Sequence, residues 1–346
     1  MTLQNLLGIE LPIIQAPMAG AQGSAMAIAV SNAGGLGSLP CAMLTPDALR
    51  TELLAIKAAT RKPWNVNFFC HTPPELNLQR EKAWRMALLP YFREFGVDPN
   101  KIPVGAGRAP FTEELADILE EFHPPVVSFH FGLPESRLLR RVKSWGTVIL
   151  SSATTVEEAL WLQEAGVDAV IAQGVEAGGH RGMFLTDDLL TQTGTLALLS
   201  QIRQRVTIPV IAAGGIAHAG SVQAVLAAGA VAAQIGTAYL LCPEASITDL
   251  HRQALQSDAA RITALTNLYS GRPARGIVNR LMRELGPIST KAPEFPLATA
   301  AIAPLRAAAE AKGIHDFSPL WSGQDSTGCK AIPAALLTRE LAGLTR

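Results

Sequence analysis

The sequence predicts an α/β fold: a TIM-type (β/α)8 barrel carrying a smaller, mostly helical C-terminal extension over its mouth. Three observations carry this. Eight short apolar segments recur between Leu11 and Ile235, each too short to be a helix of its own. Helix-compatible stretches stopped by glycine alternate with them, the rhythm of parallel βαβ units. Their span of roughly 240 residues suits a barrel of ~250 residues. An open doubly wound sheet is the competing architecture, and the absence of an early GxGxxG fingerprint counts against it.

The elements follow in order. Leu11–Met18 (LPIIQAPM) is the first strand, stopped at Pro17, and Gly23–Ala33 is helix-compatible up to Gly34-Gly35. Leu36–Pro40 is the second strand. Thr45-Pro46-Asp47 supplies a cap, a proline at the first helical position and an early acid, opening a helix to about Thr60. Trp64–Phe69 (WNVNFF) is the third strand. The stretch from His71 to Pro110 is less regular, with a helix over Asn77–Phe95 and a loop, GAGRAP, at Gly105–Pro110. Thr112–Phe122 is a capped helix, Val126–Phe131 the fourth strand and Thr147–Ser152 the fifth. Thr155 and Glu158 are spaced as a capping box for the helix Thr155–Ala165, which Gly166 stops. The sixth strand opens the stretch Ala169–Gly182 (AVIAQGVEAGGHRG), Pro209–Ala213 is the seventh, and Ala232–Ile235 is the eighth after a helix over Ser221–Ala228. Residues 1–243 are thereby assigned to the barrel. Residues 244–346 form the extension, with helices over Ile247–Gln256 and Ala298–Ala311 and two extended pieces, YSGRPARGIVN and LWSGQ. The extension is expected to help close the barrel and shape a substrate pocket.

Composition narrows the function. Lys+Arg and Asp+Glu are 29 each, so no general electrostatic case exists for nucleic acid or an anionic membrane surface. Hydrophobic residues are 48% and charged residues 17%, a chain with a large interior and no disordered character. Cys41, Cys70, Cys242 and Cys329 lie far apart without metal-ligand spacing, which predicts free thiols in a reducing compartment and no zinc site. The opening MTLQNLLGIELPI does not read as a signal peptide, and no apolar run reaches the roughly 18–20 residues of a membrane span. The expectation is a cytoplasmic protein, monomer or homodimer, acting on small molecules.

In such a barrel, chemistry sits at the C-terminal strand ends, with a phosphate site near strands seven and eight. Here those ends carry Gly178, Gly215 and Gly236, with Gln234, Ile235 and Thr237 around the last. Glycine amides and a threonine hydroxyl suit a dianionic phosphate, although tight turns alone would also use these glycines. A phosphate at one end and a planar moiety across the mouth suggest flavin mononucleotide, FMN. Gln15 to Met18 at the first strand end and Asn67 on the third could lie along its ring system. His130 ends the fourth strand and His180 follows the sixth. A neutral imidazole there could serve as a base, and an imidazolium could steady an anionic substrate. The histidines at 71, 123, 218, 251 and 315 lie in helices or loops and are assigned no chemistry.

PIIQAPMAG at Pro12–Gly20, AQGVEAGGHRG at Ala172–Gly182, PVIAAGGI at Pro209–Ile216 and AAQIGTAYLLCPEA at Ala232–Ala245 together resemble the nitronate monooxygenase (2-nitropropane dioxygenase) family. The downstream SGRPARGIVN and PLWSGQ fit as well, so the resemblance covers nearly the whole chain. It implies an FMN-dependent monooxygenase that oxidises alkyl nitronates with O2 to carbonyl compounds and nitrite, in nitroalkane detoxification. The family passes one electron from nitronate to flavin, so an already anionic substrate needs no strong base. Carried over by motif, the flavin contacts are Met18, Asn67, Gln173, Gly178, Gly215, Gln234, Ile235, Gly236 and Thr237. His130, within SFHFGLP, resembles the active-site histidine of the nitronate-specific class. His180 matches the catalytic histidine of related flavin-dependent NAD(P)H reductases, of the enoyl-ACP and quinone reductase types, which are the alternative reading. A non-catalytic flavin-binding barrel is the third.

Overall fold

A computed structural model describes residues 3–102 and 108–344. The strands are β1 (Ile13–Gln15), β2 (Gly37–Pro40), β3 (Trp64–Phe69), β4 (Val126–His130), β5 (Val148–Ala153), β6 (Ala169–Gln173), β7 (Gly179–His180), β8 (Val210–Ala213), β9 (Ala232–Ile235), β10 (Thr263–Thr266) and β11 (Ala274–Ile277). Eight of them form one parallel sheet in the order β1-β9-β8-β6-β5-β4-β3-β2. The two edges meet: Gln15 donates its N–H to the Leu36 carbonyl and Leu36 donates to that of Ile13, both at 2.9 Å. The sheet is a closed (β/α)8 barrel, as the sequence predicts. The first strand is shorter than expected because Pro17 cannot donate to a ladder.

Side-chain alternation divides each strand between two cores. Ile14, Leu150, Ile171 and Ile211 fill the barrel interior, which Leu7 and Ile9 plug from below. Ile13, Leu39, Val66, Val127, Val170 and Ile235 face the surrounding helices. The expected caps form: the hydroxyl oxygens of Thr45, Thr112 and Thr155 accept the N–H groups of Ala48, Leu115 and Glu158. Only half of the Thr155 capping box exists, because the Glu158 carboxylate reaches past it to the N–H of Thr154 at 2.6 Å and that of Phe184 at 2.7 Å.

Two helices beyond the predicted set, Ser136–Ser144 and Thr195–Arg203, complete the alternation. The first has no side-chain cap hydrogen bond, and the second is capped by Glu176, whose carboxylate takes the Thr195 N–H from 19 residues away. Neither start is signalled locally. The helix Ala334–Leu341 returns to the barrel, burying Ala334, Leu337 and Leu341 in the strand–helix core.

Above the mouth lies a second apolar core. It joins Trp84, Leu88, Phe92 and Phe95 of the helix Leu78–Phe95 to Leu268, Leu281, Ile302, Leu305 and Phe317. The segment between β3 and β4 is therefore packed with residues from the C-terminal third. That third also contains a three-stranded antiparallel sheet, β10-β11-β7, in which Ala274 pairs with His180. The extended piece YSGRPARGIVN supplies β11, while β10 and the pairing to β7 were not expected. The loop Gly105–Pro110 falls partly outside the described residues. No helix among the described residues is long and apolar enough to cross a membrane.

Candidate active site

β6 delivers the loop that frames the site. Gln173 ends the strand and spans the loop with both ends of its amide: Nε2 donates to the His180 carbonyl at 3.0 Å, and Oε1 accepts the Gly182 N–H at 2.7 Å. Behind it Arg181 is wholly buried. Its guanidinium donates to the carbonyls of Gly174 and Gln173, each at 2.6 Å, and to Gln192 Oε1 at 2.8 Å. With no carboxylate in direct contact, burial pulls this arginine down to about 9. β7 is then clamped to β11, so His180 sits on fixed backbone.

His130 closes β4 on the inward face. Its Nε2 lies 3.2 Å from the His180 carbonyl and its Nδ1 2.6 Å from Ser152 Oγ. A carbonyl only accepts, so Nε2 carries the proton and Nδ1 takes the serine hydroxyl hydrogen. Burial pushes His130 down to about 4, helped by Arg272 and Arg181 and opposed by the carbonyl bond. His180, with Nε2 2.8 Å from Ser270 Oγ, is also pushed well down by burial, then by Arg108. Burial therefore disfavours the protonated form of both rings. Phe69, Phe295 and Trp321 wall in His180 with ring centres 6.2, 5.3 and 5.6 Å away.

His130, Ser152, Gln173, His180, Phe69 and Trp321 line one cavity of about 360 Å³ at the C-terminal strand ends, within the range of small-molecule sites. Met18, Asn67, His130, Gln173 and His180 contribute to it, as do Gly178, Gly215, Gln234, Gly236 and Thr237. Ile235 does not. Alternation turns its side chain onto the helix side, 1% exposed in the strand–helix core, so a flavin contact there would fall to its backbone. For the same reason Gln15 faces away and bonds Gln22 and the Ser38 N–H.

The cavity's residues fit a flavin. At one end Gly236 lies against the first strand end, where a Cβ on it would meet Ala16 Cβ at 3.4 Å and Met18 Sδ at 3.5 Å. Gly215 has φ +65°, and Thr237 Oγ1 accepts the Gly323 N–H at 2.9 Å. Gly178 has a packing reason as well: a Cβ there would lie 2.5 Å from the Gly323 nitrogen. Along the middle, Asn67 gives its Nδ2 to Ser128. Its Oδ1 and the Gln234 amide have no protein partner among the described residues, and both suit the polar edge of an isoalloxazine.

Sequence reasoning missed Ser152, Arg108, Trp321 and His251, all of which line this cavity. Ser152 ends the fifth strand and could have been found by the strand-end argument that found His130. Arg108 and Trp321 lie on irregular loops where periodicity gives no signal. His251, assigned no chemistry, is buried with an unpartnered Nε2.

A closed (β/α)8 barrel with a roofed, ligand-sized cavity at its strand ends has the form of a barrel enzyme, and the family match makes its class oxidoreductase. The chain belongs to the nitronate monooxygenase family, whose model matches residues 1–342, and this is a flavoenzyme family. It is 44% identical to a nitronate monooxygenase of Pseudomonas aeruginosa, with 97% of each chain covered. It is 43% identical to one of Paraburkholderia phytofirmans, covering 98% of this chain and 93% of the relative. Among solved structures it resembles nitroalkane oxidase from Streptomyces ansochromogenes, with a TM-score of 0.89 and 40% identity over 99% of this chain and 96% of the other. FabK from Thermotoga maritima also matches, at a TM-score of 0.72 and 26% identity over 99% and 94%.

Proposed function

We propose that this chain is an FMN-dependent nitronate monooxygenase, converting alkyl nitronates and O2 to carbonyl compounds and nitrite in nitroalkane detoxification. One observation carries the reading. A single cavity joins a glycine-lined end suited to phosphate to an aromatic end holding a cation and two histidines whose charged form burial disfavours. The names of the relatives point the same way. FMN would be held by Gly178, Gly215, Gly236 and Thr237 at its phosphate and by Asn67, Gln173 and Gln234 along its ring. When bound, it would supply the one-electron redox chemistry that a nitronate requires.

The chain's own residues do the rest. Phe69 and Trp321, which line the cavity, would exclude water and leave an anion to be steadied by arginine charge and by N–H groups. His130 offers no free base: its lone pair at Nδ1 is engaged by Ser152, which suits a substrate that arrives already deprotonated. Residues 244–346, together with the helix Leu78–Phe95, roof the pocket in this reading.

Stopped-flow spectroscopy on the purified yellow protein tests it. Anaerobic propyl-2-nitronate is expected to reduce the flavin rapidly, while NADH leaves it oxidised. Rapid bleaching by NADH with no response to nitronate would replace this reading with that of an NAD(P)H-dependent reductase.

A further inference from the structure

Among the described residues two arginines line the cavity, and one of them, Arg306, is occupied, donating to Glu310 Oε1 at 2.7 Å. Three more, packed around the loop that carries His180, are occupied as well. Arg181 is bound by two carbonyls and Gln192. Arg272 donates to the Met183 carbonyl at 2.8 Å and lies over the Phe131 ring at 4.4 Å. Arg275 donates to the Val175 carbonyl at 2.8 Å and to Thr263 Oγ1 at 3.1 Å.

Arg108 differs. It lines the cavity, yet among the described residues no side chain or carbonyl accepts a hydrogen bond from its guanidinium. Residues 103–107, Pro-Val-Gly-Ala-Gly, contain no acid. Among the described residues its guanidinium lies over the face of Phe295, 5.8 Å from the ring centre. The backbone is held nonetheless, since its carbonyl is 3.0 Å from His71 Nε2 and the His71 ring stands edge-on to Phe295 at 4.8 Å. Burial lowers the arginine's affinity for its proton, and no acidic neighbour offsets this. Its charge depresses both His180 and His71. A cation withdrawn from water without an anion is unfavourable unless a ligand supplies one.

We propose that Arg108 is the substrate-anion residue of this site, gripping the two oxygens of the nitronate group through its planar fork. A nitronate carries its charge on two oxygens of one nitrogen, the layout of a carboxylate, and guanidinium matches it bidentately. The proposal rests on the functional reading above. It also implies that isobutyrate, a carboxylate branched like propyl-2-nitronate, competes for the same fork.

The test uses flavin-loaded wild type, Arg108→Ala and Arg108→Lys, with flavin content read by absorbance. A charge-assisted contact of this kind predicts a KM for propyl-2-nitronate raised roughly ten- to hundredfold in Arg108→Ala. The kcat is expected to change far less, and Arg108→Lys to fall between. Competition by isobutyrate is expected in wild type and lost in Arg108→Ala. Added guanidinium ion at millimolar concentration is expected to lower the raised KM, whereas urea, its neutral counterpart in shape, does not. An unchanged KM, undiminished isobutyrate competition, equal rescue by urea or loss of flavin from both variants would each overturn the assignment. A wild type inert to nitronate would instead overturn the functional reading itself.

Discussion

At the scale of single residues, burial disfavours the charged form of the histidines that line the site. His130 and His251 are both pushed by burial from 6.5 to about 4. Unfolding returns them to the ordinary value, so on acidification the unfolded chain takes up protons first. Their contribution is therefore present above pH 6.5 and lost as pH falls from 6.5 towards 4, below which it is constant. The melting temperature is expected to drop through that window, and His251→Gln, which removes one of the titrating imidazoles, to make the drop shallower. Scanning calorimetry against pH checks this; an identical slope in the variant would contradict it. Alternation made much of the site readable. Asn67, His130, Gln173 and Gln234 sit on the inward face of their strands' ends, and the same rule shows why Ile235 does not. Arg108 was illegible because nothing in GAGRAP signals that its arginine will stand half-buried with no acceptor for its guanidinium among the described residues.

Elements here begin and end through contacts made far away in sequence. Glutamates cap three helix starts from a distance: Glu52 accepts the Ser24 N–H at 2.5 Å, Glu176 that of Thr195 at 2.9 Å and Glu244 that of Ala334 at 3.0 Å. Each places a negative charge at the positive end of a helix. Local signals such as Thr45-Pro46-Asp47 are visible in a sequence, and distant carboxylates are not, which is why the helix Thr195–Arg203 escaped. The loop after β6 depends in the same way on Arg181. Arg181→Met would take the guanidinium donor from the buried Gln173 carbonyl and leave that of Gly174 with the Ala177 N–H alone, at a cost of about 1–3 kcal/mol. Urea denaturation is expected to show that loss, together with reduced flavin content. A variant as stable and as yellow as wild type would mean that the loop holds without the guanidinium.

Across the whole molecule, one chain builds two apolar cores and crosses between them repeatedly. The barrel was readable because its eight strands recur with short spacing. The second core was not, since Leu78–Phe95 meets residues around Leu268–Phe317 only after the chain has passed through five more barrel strands. The chain then returns to the barrel: Leu337 is buried against it, and Thr338 Oγ1 lies 2.9 Å from the Tyr239 hydroxyl. Leu337→Ala is expected to destabilise the fold by about 2–5 kcal/mol, measured by chemical denaturation. A loss under about 1 kcal/mol, a typical surface value, would show that this helix is peripheral to the barrel. The bond from Gly323 to Thr237 spans 86 residues, and this sets a timetable. At ~5–20 residues per second, a ribosome that has finished Thr237 needs roughly 4–17 s more to reach Gly323. For that interval the nascent chain owns every strand of its barrel and lacks one wall of its cavity, so ligand capture belongs to the closing seconds of synthesis or later.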